Sequence, residues 1–213
     1  MGAYTLRLCE DHLEPRAGLA LATISHVVYV LAGDVIVTTG NRNLSIATDC
    51  AWHSTEGESL TAGRNGATLL RYELLGAKNP AAGARTVLAQ AMDLDDAGQY
   101  LIRCDRVDFA PGGEALPHGH KGGGIRRLIA GELDVRVGGA PGRVMKPGDA
   151  WFESGIEPVH AIASATTPTS FIRVSILPRA IRGQSSIVYV DPAHAAVKPR
   201  KYAVFVDDPI PLP

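Results

Sequence analysis

Several things are scarce in this sequence, and each scarcity excludes something. Of its 213 residues only three are cysteines, Cys9, Cys50 and Cys104, and no two form a C-x-x-C pair. An odd, scattered set builds no disulfide framework and reads as free thiols in a reducing cytoplasm. Long apolar runs are missing too. Val27 to Leu31 is typical of the longest and is far too short to cross a bilayer, and no basic-then-apolar signal segment opens the chain, so no membrane partner is expected. Neither sign of charge dominates: the formal net charge is -1, which gives no reason to expect nucleic acid or an anionic surface as partner. Helical periodicity is almost absent, with Val87 to Leu94 the one plausible helix.

What remains is an ordinary globular composition, 46% apolar and 20% charged. The apolar residues fall in short strand-like segments, among them His26 to Leu31, Asp34 to Thr38, Ala67 to Leu75, Tyr100 to Phe109, Arg126 to Ile129, Leu133 to Val137 and Phe171 to Leu177. Glycine, proline and aspartate turns separate them, the pattern of an all-β sandwich or barrel.

The chain also repeats itself. His26-Val-Val-Tyr-Val-Leu-Ala-Gly33 aligns without a gap on Gly124-Ile-Arg-Arg-Leu-Ile-Ala-Gly131. Asp49-Cys-Ala-Trp-His-Ser54 resembles Asp149-Ala-Trp-Phe-Glu-Ser154 with the tryptophan offset by one place, and Leu69 to Leu75 matches Phe171 to Leu177. Three matches in one order predict two copies of a single β unit: residues 1–78, a linker at 79–98, and residues 99–213.

The second copy carries Pro111-Gly-Gly-Glu-Ala-Leu-Pro-His118-Gly-His120-Lys-Gly-Gly-Gly124, then Gly131 six residues on, and later Lys146-Pro-Gly-Asp149 and Gly155-Ile-Glu-Pro-Val-His160. These segments resemble the two motifs of the cupin superfamily. The resemblance implies two cupin barrels (double-stranded β-helices, or jelly rolls), the first degenerate and the second metal-binding. Residues two apart on a strand share a face, so His118 and His120 are expected to enter the barrel together, with His160 completing a facial set of three ligands and open coordination positions. The family's glutamate ligand falls at Gly124, so the expected site is three neutral imidazoles, with Glu114 the nearest carboxylate that the glycine run could bring in. In the first copy Ala20 and Ala22 stand where the histidine pair stands, and one imidazole at His26 does not make a site. That copy is read as structural.

The arginines sort by the same repeat. Arg173 has a counterpart in Arg71 and reads as architectural; Arg126 aligns with Val28 and is private to the second copy. Pointing inward beside the metal, Arg126 is expected to hold a substrate carboxylate or enolate and to be dispensable for stability. Tyr100, Arg103, Phe152 and Glu153 are further candidates for the pocket wall.

The resemblance thus implies one divalent metal ion per chain, Fe(II) first and Zn, Mn, Ni or Co as alternatives, in a dioxygenase acting on a small chelating acid or diketone. The other readings are a non-redox isomerase, lyase or hydrolase, and a non-catalytic small-molecule binder. The expected partner is an anionic or enolisable small molecule; a homodimer is compatible with the sequence.

Overall fold

A computed structural model describes residues 4–78, 85–196 and 200–213. The described residues are almost all strand and turn, apart from two short 3₁₀ turns at Arg179–Ile181 and Pro192–Ala196. Among them no helix is long and apolar enough to cross a membrane. The chain divides into two units: residues 1–98 together with 210–213, and residues 99–209.

The first unit holds β1 (Tyr4–Leu13), β2 (Gly18–Ala20), β3 (His26–Thr39), β4 (Arg42–Ala47), β5 (Ala51–Ser54), β6 (Ser59–Leu75) and β7 (Thr86–Met92). They form one sheet in the order β4-β3-β6-β1-β7, with β2 on β6 and β5 on β3. Thr86–Met92 corrects two expectations. Val87 to Leu94 is not a helix, and the 79–98 stretch is more than a connector, because β7 adds to the free edge of β1. Pairing to an available edge overrides a weak local helical preference. Residues 79–84 lie outside the described residues.

The second unit holds β8 (Tyr100–Phe109), β9 (Glu114–His120), β10 (Gly124–Ala130), β11 (Leu133–Val137), β12 (Arg143–Met145), β13 (Ala150–Glu153), β14 (Val159–Ala163), β15 (Thr169–Pro178), β16 (Ile187–Tyr189) and β17 (Arg200–Ile210). Two antiparallel sheets, β13-β10-β15-β8-β17 and β12-β11-β14-β9-β16, enclose one apolar core. Val107, Phe109, Leu128, Trp151 and Phe171 from the first sheet meet Ala115, Leu133, Val135, Met145, Val159 and Ala161 from the second. Alternation of inward apolar and outward residues is clear along β11 and β14, while β8 and β15 are buried along most of their length.

The repeat survives as identical strand register. Val28 lies opposite Arg71 on β6 and Trp52 on β5, as Arg126 lies opposite Arg173 on β15 and Trp151 on β13. That register resolves the one-place tryptophan offset and makes Ser54 the counterpart of Glu153. The copied segments also end on equivalent positive-φ glycines, Gly33 (φ +77°) within β3 and Gly131 (φ +73°) just after β10. In each case a Cβ would strike a neighbouring carbonyl oxygen, Gly66 O within β6 or Pro168 O just before β15, so no other residue fits without moving backbone.

Arg71 and Arg173 play the same part in the two units. Arg71 Nε donates to Asp11 Oδ2 at 2.8 Å and its Nη1 pairs with Glu73; Arg173 binds Asp105 through Nε at 3.0 Å and Nη2 at 2.7 Å. Asp11 is 0% exposed and Asp105 1%. Removing one partner of a buried ion pair strands the other charge, at a cost of about 3–5 kcal/mol. Arg173→Ala should therefore lower unfolding free energy by about 3–5 kcal/mol, and Arg71→Ala by somewhat less, because Arg85 still reaches Asp11. Urea denaturation checks this; unchanged midpoints would show that neither pair supports its sheet.

Candidate functional site

The interior of the second unit is polar at one end of its core. His118 and His120 both turn inward from β9 and are buried, their rings 5.0 Å apart edge to face. His118 Nδ1 lies 2.7 Å from Leu116 O, which fixes the tautomer and leaves Nε2 facing the Arg200 guanidinium at 3.5 Å. His120 Nε2 lies 3.3 Å from Glu153 Oε2. Burial, with the Arg200 charge as second cause, pushes His118 from an ordinary 6.5 down to about 4; burial pushes His120 to about 3 despite the nearby carboxylate. Both imidazoles are neutral at pH 7.

His160 is elsewhere. In β14, Val159 and Ala161 take the inward face, so the residue between them faces outward. There its Nε2 pairs with Glu114 Oε1 at 2.6 Å, and the side chains are 24% and 46% exposed. The structure brings His118 and His120 together and leaves both His160 and the expected replacement carboxylate, Glu114, on the other face. Among the described residues no group of three or more His, Cys, Asp or Glu side chains is arranged to hold a metal.

The carboxylate that does reach the pair is Glu153. On β13 it sits directly opposite Gly124, the position where a ligand glutamate was expected. A side chain at 124 itself would meet Ser175 Oγ at 2.4 Å and Val174 O at 2.5 Å, which is why glycine stands there. Trp151 Nε1 donates to Glu153 Oε1 at 2.8 Å, and Arg126 Nη2 lies 2.7 Å from Oε2. Burial alone would raise this carboxyl's pKa; Arg126, His120 and Trp151 together hold it well below the usual range.

Arg126 points inward, 1% exposed, as expected. Its guanidinium is committed, however: besides Glu153 it donates to Gly124 O at 2.5 Å. The expectation that Arg126 is dispensable for stability therefore changes, because its loss would strand a buried carboxylate.

Sequence reasoning missed Arg200. It lies against the rings of Phe109 and Tyr202, each 5.9 Å from its centre, and donates to Tyr189 Oη at 3.3 Å. It walls both the packed space around the histidines and a larger cavity of about 710 Å³. That cavity also carries Arg103, Asp105, Arg173, Tyr189, Tyr202 and Asp207. Of the earlier candidates Arg103 and Glu153 do line these spaces, whereas Tyr100 and Phe152 do not.

No family model matches the sequence, and no curated protein matches it. Solved structures do. An oxalate decarboxylase of Bacillus subtilis superposes with TM-score 0.67 at 13% identity, covering 92% of this chain and 78% of that one. The oxalate decarboxylase of Lactobacillus farciminis, solved as a formate complex, gives 0.64 at 14% identity over 92% and 86%. A cupin 2 conserved barrel domain protein of Leptotrichia buccalis gives 0.52 at 13% identity over 83% and 85%. The chain has the two-barrel cupin fold. At these identities the likeness establishes the fold alone, and fold does not fix chemistry.

A pH dependence follows from the depressed imidazoles. Protons that the folded state refuses bind the unfolded chain below pH 6.5, so the stabilisation is complete above 6.5 and is lost as pH falls towards about 4 and then 3. Each histidine contributes up to about 1.4 kcal/mol per pH unit in that window. The His118→Gln, His120→Gln variant should show a flatter decline in stability between pH 6.5 and 4 than the wild type. Parallel curves would mean that the two rings are not buried neutral.

Proposed function

We propose that the second cupin unit is the working one and that it captures a small organic anion against Arg200, beside His118. One observation carries this reading. Four guanidiniums wall the interior and its cavity, and three have a carboxylate of their own: Arg103 with Asp207, Arg126 with Glu153, Arg173 with Asp105. Among the described residues, Arg200 meets rings, a tyrosine hydroxyl and the lone pair of a neutral imidazole, and no carboxylate. The interior therefore carries one surplus positive charge, and a carboxylate entering the cavity completes it.

The rest of the wall suits such a molecule. Arg103 and Arg173 are held rigid by bidentate carboxylate contacts, so the cavity keeps its shape. Tyr189 and Tyr202 offer aromatic surface with polar tips. His118 is neutral with its tautomer fixed, so its Nε2 lone pair faces Arg200 at 3.5 Å without neutralising the guanidinium charge. Two structural neighbours with the same architecture are oxalate decarboxylases, one solved with formate, which supports small carboxylic acids as the ligand class.

The dioxygenase expected from the three-histidine resemblance needs His160 in the interior, where it does not lie. The anionic partner in that expectation is the part that the geometry favours.

The test is calorimetric titration of the full chain with oxalate and a short series of mono- and dicarboxylates. A charge-assisted bidentate contact is worth about 1.5–3 kcal/mol, so Arg200→Ala should weaken the preferred acid roughly ten- to a hundredfold, with Arg200→Lys intermediate. The melting temperature should stay close to that of the wild type. Equal affinities for wild type and Arg200→Ala would sink the proposal.

A further inference from the structure

The geometry points to Arg126 as a built-in cation that stands where a cupin metal ion would act, so that this barrel works without one. The argument starts from the donors. A divalent ion at the histidine pair needs lone pairs; those of Glu153 Oε2 and His118 Nε2 already face guanidiniums, while buried His120 Nδ1 has no hydrogen-bond partner among the described residues. Glu153 Oε2 is shared between His120 Nε2 at 3.3 Å and Arg126 Nη2 at 2.7 Å. His118 Nε2 faces Arg200 Nη1 at 3.5 Å. The backbone oxygen at 124, the position of the missing ligand glutamate, accepts Arg126 Nη1. One guanidinium thus takes the carboxylate beside the histidines and the main-chain oxygen next to it.

The repeat supplies an independent observation. In the first unit the counterparts of Arg126 and Glu153 are Val28 and Ser54. The cation and the carboxylate occur together in one unit and are absent together from the other, which is the behaviour of a pair with a joint task. A guanidinium stays charged at every physiological pH and cannot be chelated away. A divalent ion brought next to it would meet like charge in a poorly solvated interior, and its carboxylate ligand would already be bound.

This inference is separate from the capture of an acid at Arg200 and has its own test. Co²⁺ is titrated into the full-length chain and followed by visible absorption and by its effect on the melting temperature. The wild type should show no tight site and no metal-dependent rise in melting temperature. Arg126→Met should gain one Co²⁺ equivalent, at least a hundredfold tighter than wild type, and be stabilised by it. Arg126→Met combined with Glu153→Gln should lose that gain. A tight Co²⁺ equivalent in the wild type that vanishes in the His118→Ala, His120→Ala variant overturns the inference. So does a folded Arg126→Met protein that gains no metal affinity. If Arg126→Met does not fold, the wild-type Co²⁺ titration still decides.

Discussion

Glu153 is buried among Trp151, His120 and Arg126, and a carboxylate in that position keeps its charge because these three groups answer it, the guanidinium at 2.7 Å foremost. Much of the second unit follows from that contact. It requires Arg126 to face inward, which fixes the register of β10 against β13 and β15. It requires glycine at 124, whose carbonyl takes the second guanidinium nitrogen and whose missing side chain lets β15 approach. It also gives His120 a carboxylate neighbour while burial keeps the ring neutral. Remove the pair and the interior holds either a stranded charge or a gap.

The two units show how little of a fold its function needs to touch. Their long strands pair in the same register, their copied segments end in the same positive-φ glycines, and each carries an arginine tied to a buried aspartate. Those shared features hold the sheets. Among the inward positions that differ are valine for Arg126 and serine for Glu153, while Ala20 and Ala22, which align with His118 and His120 in sequence, are exposed. The second unit combines a packed polar interior with a cavity of about 710 Å³ alongside it, walled by Arg173, Arg200 and Tyr202 in common.

Much of this could be read in the sequence, for physical reasons that also explain what could not. Alternation along strands and gap-free self-similarity identified an all-β chain in two copies. H-x-H spacing placed His118 and His120 on one face, because a period of two leaves no alternative. His160 was harder. It sits on a five-residue strand whose pairing with β9 is irregular between Val159 and Ala161, and only the buried neighbours show which face it takes. Glu153 was one of several candidates until the register of β13 against β10 was known. Arg200 had no signal at all: it is 80 residues beyond His120, in no motif, and reaches the site because β17 adds to the edge of β8.

The central claim is a division of labour among buried arginines, with Arg126 and Arg173 committed to carboxylates and Arg200 waiting for one. The most direct measurement is the ¹⁵N spectrum of the arginine Nε–H groups, recorded while a small carboxylic acid is added to the full-length protein. The Arg200 resonance should move and saturate with the acid, while those of Arg126 and Arg173 stay in place and exchange slowly with solvent. Movement of Arg126 or Arg173 with Arg200 unaffected would contradict the account, because the anion would then be breaking the ion pairs on which the interior is built.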